Sequence, residues 1–198
     1  MEKTKTLIAV GLLSLVLASR PAQAETAGEI EWTDSTRLAL AQCFVGEAGW
    51  GAITEYSAIA HILKRRWQSI QEQPKYADWT FERMVRQYCA VHRVGSPTPR
   101  QVWVRRLPWG PLEGDPGFEE TVKWHYFATQ WDKIRDAVTM FEAGELRDPM
   151  PRAAHWGGPM DHGRLKNVKL LPGIVKSLED GKKIQLQNYF YAPSSSRL

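Results

Sequence analysis

Leu38-Ala39-Leu40-Ala41-Gln42-Cys43-Phe44-Val45-Gly46-Glu47-Ala48 carries polar side chains only at Gln42 and Glu47. A helix that is apolar around most of its circumference is buried rather than laid on a surface. The stretch therefore predicts a mostly helical domain assembled around this segment. Asp34 or Ser35 can cap the helix, and Gly49 can end it. Glu47 then falls in the last turn, where the helix dipole disfavours a carboxylate. It needs a partner, or its pKa rises through desolvation. A Glu held protonated near neutral pH is what a glycosidase acid requires. The plainer reading is a structural Glu at a helix end.

The N-terminal residues read as a targeting segment. Lys3 and Lys5 precede an apolar run from Leu7 to Ala18, and Ala22-Gln23-Ala24 offers an A-x-A cleavage site. The run is short for a bilayer span, and Arg20-Pro21 interrupts it. Residues 1–24 are thus expected to be a signal peptide and 25–198 a single exported domain, periplasmic or secreted. A monomer with no stable membrane insertion after cleavage is expected. Without Lys3, Lys5 and Arg20, Lys+Arg falls from 26 to 23; without Glu2, Asp+Glu falls from 22 to 21, which leaves +2. That balance suits an anionic cell envelope and does not argue for nucleic acid.

Cys43 and Cys89 are the two cysteines, so an exported chain has one internal pairing open to it. Cys43 lies one turn before Glu47 on the same helix face, and a disulfide there pins the helix that presents the carboxylate. Two buried free thiols are the alternative.

Beyond the first helix, Thr54 can cap a second, with Ile59, Leu63, Trp67 and Ile70 at helical spacing. Lys64, Arg65 and Gln68 read as its solvated face. Thr80 opens a short third helix through Phe81, Met84, Val85 and Tyr88. His92 to Gly117, rich in Pro, Gly and Arg, reads as a long ordered loop that can carry function. Asp115-Pro116 begins the longest helix, through Phe127, Trp131, Ile134, Val138 and Phe141, and Gly144 stops it. A short helix is expected near Ile174 to Leu178. Lys183 to Ala192 alternates like a strand.

Nine tryptophans are present, and Trp109 and Trp156 sit among Gly and Pro, where an aromatic face can stack on a sugar or serve as a buried anchor. His155, Asp161 and His162 could hold zinc, although their spacing matches no common zinc signature. A two-carboxylate glycosidase needs a partner for Glu47, and Glu55, Asp115 and Asp161 are the candidates. With no partner, a one-carboxylate lytic transglycosylase mechanism remains.

Leu40 to Arg66 contains Val45-Gly46-Glu47-Ala48-Gly49-Trp50-Gly51 and then Ala58-Ile59-Ala60-His61-Ile62-Leu63-Lys64-Arg65-Arg66. It resembles the opening of the spore-cortex-lytic family of cell-wall hydrolases, a Glu-Ala-Arg-Gly-Glu run followed by a helix like A-V-A-A-V-I-L-N-R. Met84 to Val91, Gln130 to Gly144, Ala153 to Asp161 and Asn188-Tyr189-Phe190-Tyr191 resemble later stretches of that family in the same order. The resemblance implies a trimmed lysozyme-like fold, mostly α (α+β) with a small β element near the C-terminus. It implies a single essential Glu at Glu47, and cleavage of peptidoglycan glycan strands between N-acetylmuramic acid and N-acetylglucosamine. The chain departs from the family at Gly49, where the family has Arg, and at Gly51, where it has its second Glu.

The leading expectation is therefore an exported peptidoglycan glycosidase, lytic transglycosylase or muramidase, with Glu47 as general acid/base and no cofactor or metal. Trp156, Tyr189 and Tyr191 are the expected sugar contacts. The competing readings are a non-catalytic glycan-binding envelope protein and a zinc-dependent peptidase or amidase.

Overall fold

The computed structural model describes residues 28–49, 51–93, 95, 97, 99–110, 124–157 and 167–194. The signal segment, Trp50, Asp115, Asp161, His162 and the expected start of the longest helix at Asp115-Pro116 lie outside the described residues.

The first helix, α1 (Asp34–Ala48), forms as its composition demands. Thr33, rather than Asp34 or Ser35, is the N-cap, its hydroxyl accepting from the Thr36 N–H at 3.1 Å. Seven consecutive residues from Ala39 to Val45 are buried, so neighbours cover α1 on every side. Those neighbours are α2 (Ile53–Gln71), α3 (Phe81–Tyr88), α4 (Ala90–Arg93), α5 (Pro99–Arg105) and α6 (Trp124–Glu142). Gly49 ends α1 at φ 60°, a left-handed conformation that favours glycine. Among the described residues, no helix is long and apolar enough to cross a membrane.

Gly46 has a packing role. A Cβ there would lie 2.6 Å from the Val91 Cβ, so only glycine lets α4 close on the last turn of α1. The Cys43–Cys89 disulfide, with Cα atoms 5.6 Å apart, ties the same two regions together. Arg37 binds Glu142 with two N–H donors, both at 2.7 Å, and so fastens the end of α6 to α1.

The β structure is small and antiparallel. β1 (His155–Gly157), β5 (Tyr189–Pro193) and β2 (Val168–Leu170) form one sheet in that order, and β3 (Ile174–Lys176) pairs with β4 (Lys183–Gln185). The molecule is thus mostly helical with minor β, as expected.

Several local expectations are corrected. The Ile174 to Leu178 helix is instead β3 and a turn, because Ile174 and Val175 pair with Gln185 and Ile184. The single strand from Lys183 is two strands, interrupted at 186–188. The long loop after His92 contains α5, whose end is held by the buried Gln42 amide donating to the Arg105 and Leu107 carbonyls at 3.2 and 3.1 Å. Thr54 is not a cap, since α2 starts one residue earlier; its hydroxyl accepts from the Leu178 N–H at 2.8 Å.

Arg65 is not a solvated side chain. It donates to the Asp148 carboxylate and to the Met150 and Ala153 carbonyls at 3.2 and 2.7 Å. Ser57 donates to the Arg147 carbonyl at 2.7 Å and His61 to the Leu146 carbonyl at 3.0 Å. Ser57, His61 and Arg65 recur every four residues, which places them in one row along α2. That row carries the connection from α6 to β1.

His92 makes the packing of α4 on α1 sensitive to pH. Its Nε2–H faces the Ala39 carbonyl at 3.2 Å, and its Nδ1 faces an Arg86 N–H at 3.4 Å. Burial, which outweighs the hydrogen bond to the Ala39 carbonyl, pushes its pKa down to about 4, with the Arg86 and Arg105 charges adding to the fall and Glu82 opposing it. Between the ordinary value and about 4 the unfolded chain binds a proton that the folded chain refuses, so stability falls as pH falls through that window. The expected loss is about 2 kcal/mol after allowing for solvent screening. Glu82 and Glu142, whose pKa values are lowered, add their loss only below the ordinary carboxylate range. Denaturant unfolding of wild type and His92→Gln between neutral pH and pH of about 4.5 checks this, with a flatter profile expected for the variant.

Candidate functional site

Glu47 projects from the last turn of α1 and is half-buried. Its Oε1 accepts from the Ala90 backbone N–H at 2.6 Å, and its Oε2 accepts from the Trp156 indole N–H at 3.1 Å. These two donors supply the compensation that a carboxylate at a helix C-terminus requires. Each comes from an element placed by the packing described above. Ala90 follows Cys89 and opens α4, which Gly46 admits and the disulfide anchors. Trp156 is the centre of β1, delivered by the α2 row and paired with Phe190 of β5.

The partly buried Trp156 packs against the core while its indole N–H reaches Glu47, so this expected substrate residue is adjacent to the expected acid. Tyr189 is on the same sheet, two positions from Tyr191 and 39 % exposed. Tyr191 is fully buried and offers no surface to a ligand.

Glu55 occupies a different environment. It is 1 % exposed, and its oxygens accept from the Asn188 N–H at 2.7 Å, the Asn188 amide at 2.8 Å and the Gln187 N–H at 3.2 Å. The Asn188 amide also donates to the Glu47 carbonyl at 3.0 Å, so the carboxylate of Glu55 braces the base of the site. A Cβ on Gly51 would lie 3.2 Å from the Glu55 Oε2 and 3.1 Å from the Ala48 carbonyl oxygen. Glycine at this position therefore leaves the space in which the Glu55 carboxylate sits.

His155, next along β1, points to Arg66. The Arg66 guanidinium donates to its Nδ1 at 2.8 Å and stacks over the Tyr88 ring at 4.1 Å. Burial, then the Arg66 charge, lowers the His155 pKa, and burial also lowers that of Arg66. Among the described residues, no group of three His, Cys, Asp or Glu side chains is placed to hold a metal ion.

The Ala90 N–H, which no sequence motif marks, still leaves a trace in the sequence. Cys43 and Glu47 are one turn apart, so a bond from Cys43 to Cys89 must bring the residues around Cys89 to the turn that carries Glu47. Asn188 was legible only as part of an aromatic strand.

Chemically, the site is a half-buried carboxylate with fixed orientation beside an indole, able to exchange a proton with a bound group. No family model, curated protein or solved structure matches the chain.

Proposed function

We propose that the protein is an exported enzyme that cleaves peptidoglycan glycan strands with Glu47 as both acid and base, by the lytic transglycosylase route. The observation that supports this reading is the fixed, only partly buried Glu47 carboxylate against Trp156, while Glu55 is fully buried and committed to Asn188 and Gln187. Of the three candidates for a water-activating second carboxylate, Glu55 lacks access to the reacting face, and Asp115 and Asp161 lie outside the described residues. The protonated Glu47 carboxyl gives its proton to the glycosidic oxygen as the C1–O bond of muramic acid breaks. The carboxylate so formed takes the proton of that sugar's C6 hydroxyl, whose oxygen bonds to C1. The products are a free 4-hydroxyl on N-acetylglucosamine and a 1,6-anhydromuramic end, with Glu47 protonated again.

Two environments favour the two states of the acid. The N–H donors favour the carboxylate, and desolvation by a bound strand favours the protonated form. The Cys43–Cys89 disulfide suits an oxidising compartment, as export to a periplasm or beyond would provide.

Digestion of purified peptidoglycan by the full chain, followed by mass spectrometry of soluble fragments, tests the proposal. Anhydromuramic ends are expected. Reducing ends would transfer the reading to a hydrolytic muramidase. Binding to sacculi without fragment release would make the protein a glycan-binding envelope component.

A further inference from the structure

Arg66 is half-buried on α2 and carries a positive charge that no acidic side chain answers. Arg37, Arg65, Arg83, Arg86 and Arg135 each pair with a carboxylate. Arg66 meets none among the described residues, and its neighbours are neutral. The Tyr88 ring lies 4.1 Å from its Cζ, His155 Nδ1 accepts from its Nη2 at 2.8 Å, and the Ala154 carbonyl lies 3.4 Å from the same nitrogen. Withdrawing a guanidinium from water is costly without an opposing charge. A ring face and one good hydrogen bond offset only part of that cost. Burial accordingly lowers the Arg66 pKa.

Both bonds of Arg66 use Nη2, so Nε and Nη1 make no hydrogen bond among the described residues. An arginine can only donate, so the Nδ1 it meets is an acceptor and the His155 ring is neutral while that bond lasts. The corner between α2, the end of α3 and the start of β1 thus holds one full positive charge, two unused donor nitrogens and no described carboxylate. A phosphate or a carboxylate supplies the missing charge and accepts from those nitrogens; a cation or an apolar ligand does neither. We propose that this corner is a binding site for a small oxyanion. Arg66 is its charged donor, the Tyr88 ring holds the guanidinium from one face, and His155 fixes its Nη2 edge. Alternate residues of a strand face opposite sides, so β1 turns Trp156 to Glu47 and His155 to Arg66. The oxyanion site is therefore separate from the candidate site, and the proposal does not rest on the glycan-cleaving reading.

The test titrates the full chain, in chloride buffer of low ionic strength near neutral pH, with inorganic phosphate and separately with acetate. Binding is read from the NMR signal of the His155 imidazole, identified by its loss in His155→Gln. At least one of the two anions is expected to saturate that signal with a Kd of about 1 mM, the strength of two or three charge-assisted hydrogen bonds. The bound anion should also raise the His155 pKa, because it cancels the Arg66 charge that, after burial, helps to lower it. Arg66→Gln should weaken binding at least about ten-fold. Arg83→Gln, which removes an exposed guanidinium elsewhere, should leave binding unchanged. Saturation by phosphate alone would assign the site to phosphate, and saturation by acetate would assign it to a carboxylate. No saturation of the wild-type signal by either anion, or equal binding by Arg66→Gln, would overturn the proposal. The wild-type titration needs no variant, so instability of Arg66→Gln does not shield the proposal from refutation.

Discussion

Glu47→Gln is expected to fold and to release fragments from peptidoglycan at least about a thousand-fold more slowly than wild type, the upper part of what a positioned acid/base contributes. The amide keeps the shape of the carboxyl but cannot give up or regain the proton on which both steps of the proposed cleavage turn. Its structural effect is small but finite. The Gln oxygen can accept from either the Ala90 N–H or the Trp156 indole, and its NH2 group then faces the other donor. One hydrogen bond is lost, and a stability change of about 1–3 kcal/mol follows. Fragment mass spectrometry with thermal unfolding on the same sample checks both parts. Normal turnover by this variant would remove Glu47 from the chemistry. A collapse of stability with the activity would make the residue structural, and Trp156→Phe, which removes one donor alone, would then show a similar collapse.

Breaking the Cys43–Cys89 bond should be the largest single loss of stability. The bond closes a loop with a sequence separation of 46 residues. Loop-closure entropy assigns such a bond about 4 kcal/mol. In a domain of this size that lowers the unfolding midpoint by roughly 8–16 °C. The expected outcome for Cys43→Ala/Cys89→Ala is a fall of that order, with the remaining folded fraction less active per molecule. The reason is positional: Cys89 immediately precedes the backbone donor to Glu47, and Cys43 precedes Glu47 by one turn. Activity measured well below the new midpoint separates the two effects. Full activity there would mean that Gly46 and Val91 packing places Ala90 without the covalent bond.

The parts of this fold that were readable in the sequence are those set by local chemistry. The apolar run gives α1, Thr80 caps α3 by accepting from the Arg83 N–H at 3.1 Å, Gly49 and Gly144 stop helices at positive φ, and the two cysteines had one partner each. The unreadable parts are those in which a polar group serves a distant segment. Lys183 to Ala192 alternates like one strand, but the N–H groups of Gln187 and Asn188 are claimed by Glu55, and the ladder must break there. Ile174 and Val175 are β-branched, and it is the pairing with β4 that makes them a strand rather than a helix turn. Arg65 reads as surface charge until the 148–153 segment is laid against it. In the site, Glu47 and Trp156 were legible as types in unusual settings. Their contact, across 109 positions, was not.

The row on α2 has a consequence for how this protein can drift in sequence. Four of its partners, at Leu146, Arg147, Met150 and Ala153, are main-chain carbonyls, which every residue type possesses. The instructions that set the path to β1 are thus written almost wholly in Ser57, His61 and Arg65. The segment they hold can exchange its exposed letters freely, apart from Asp148, and still deliver the indole to the same place.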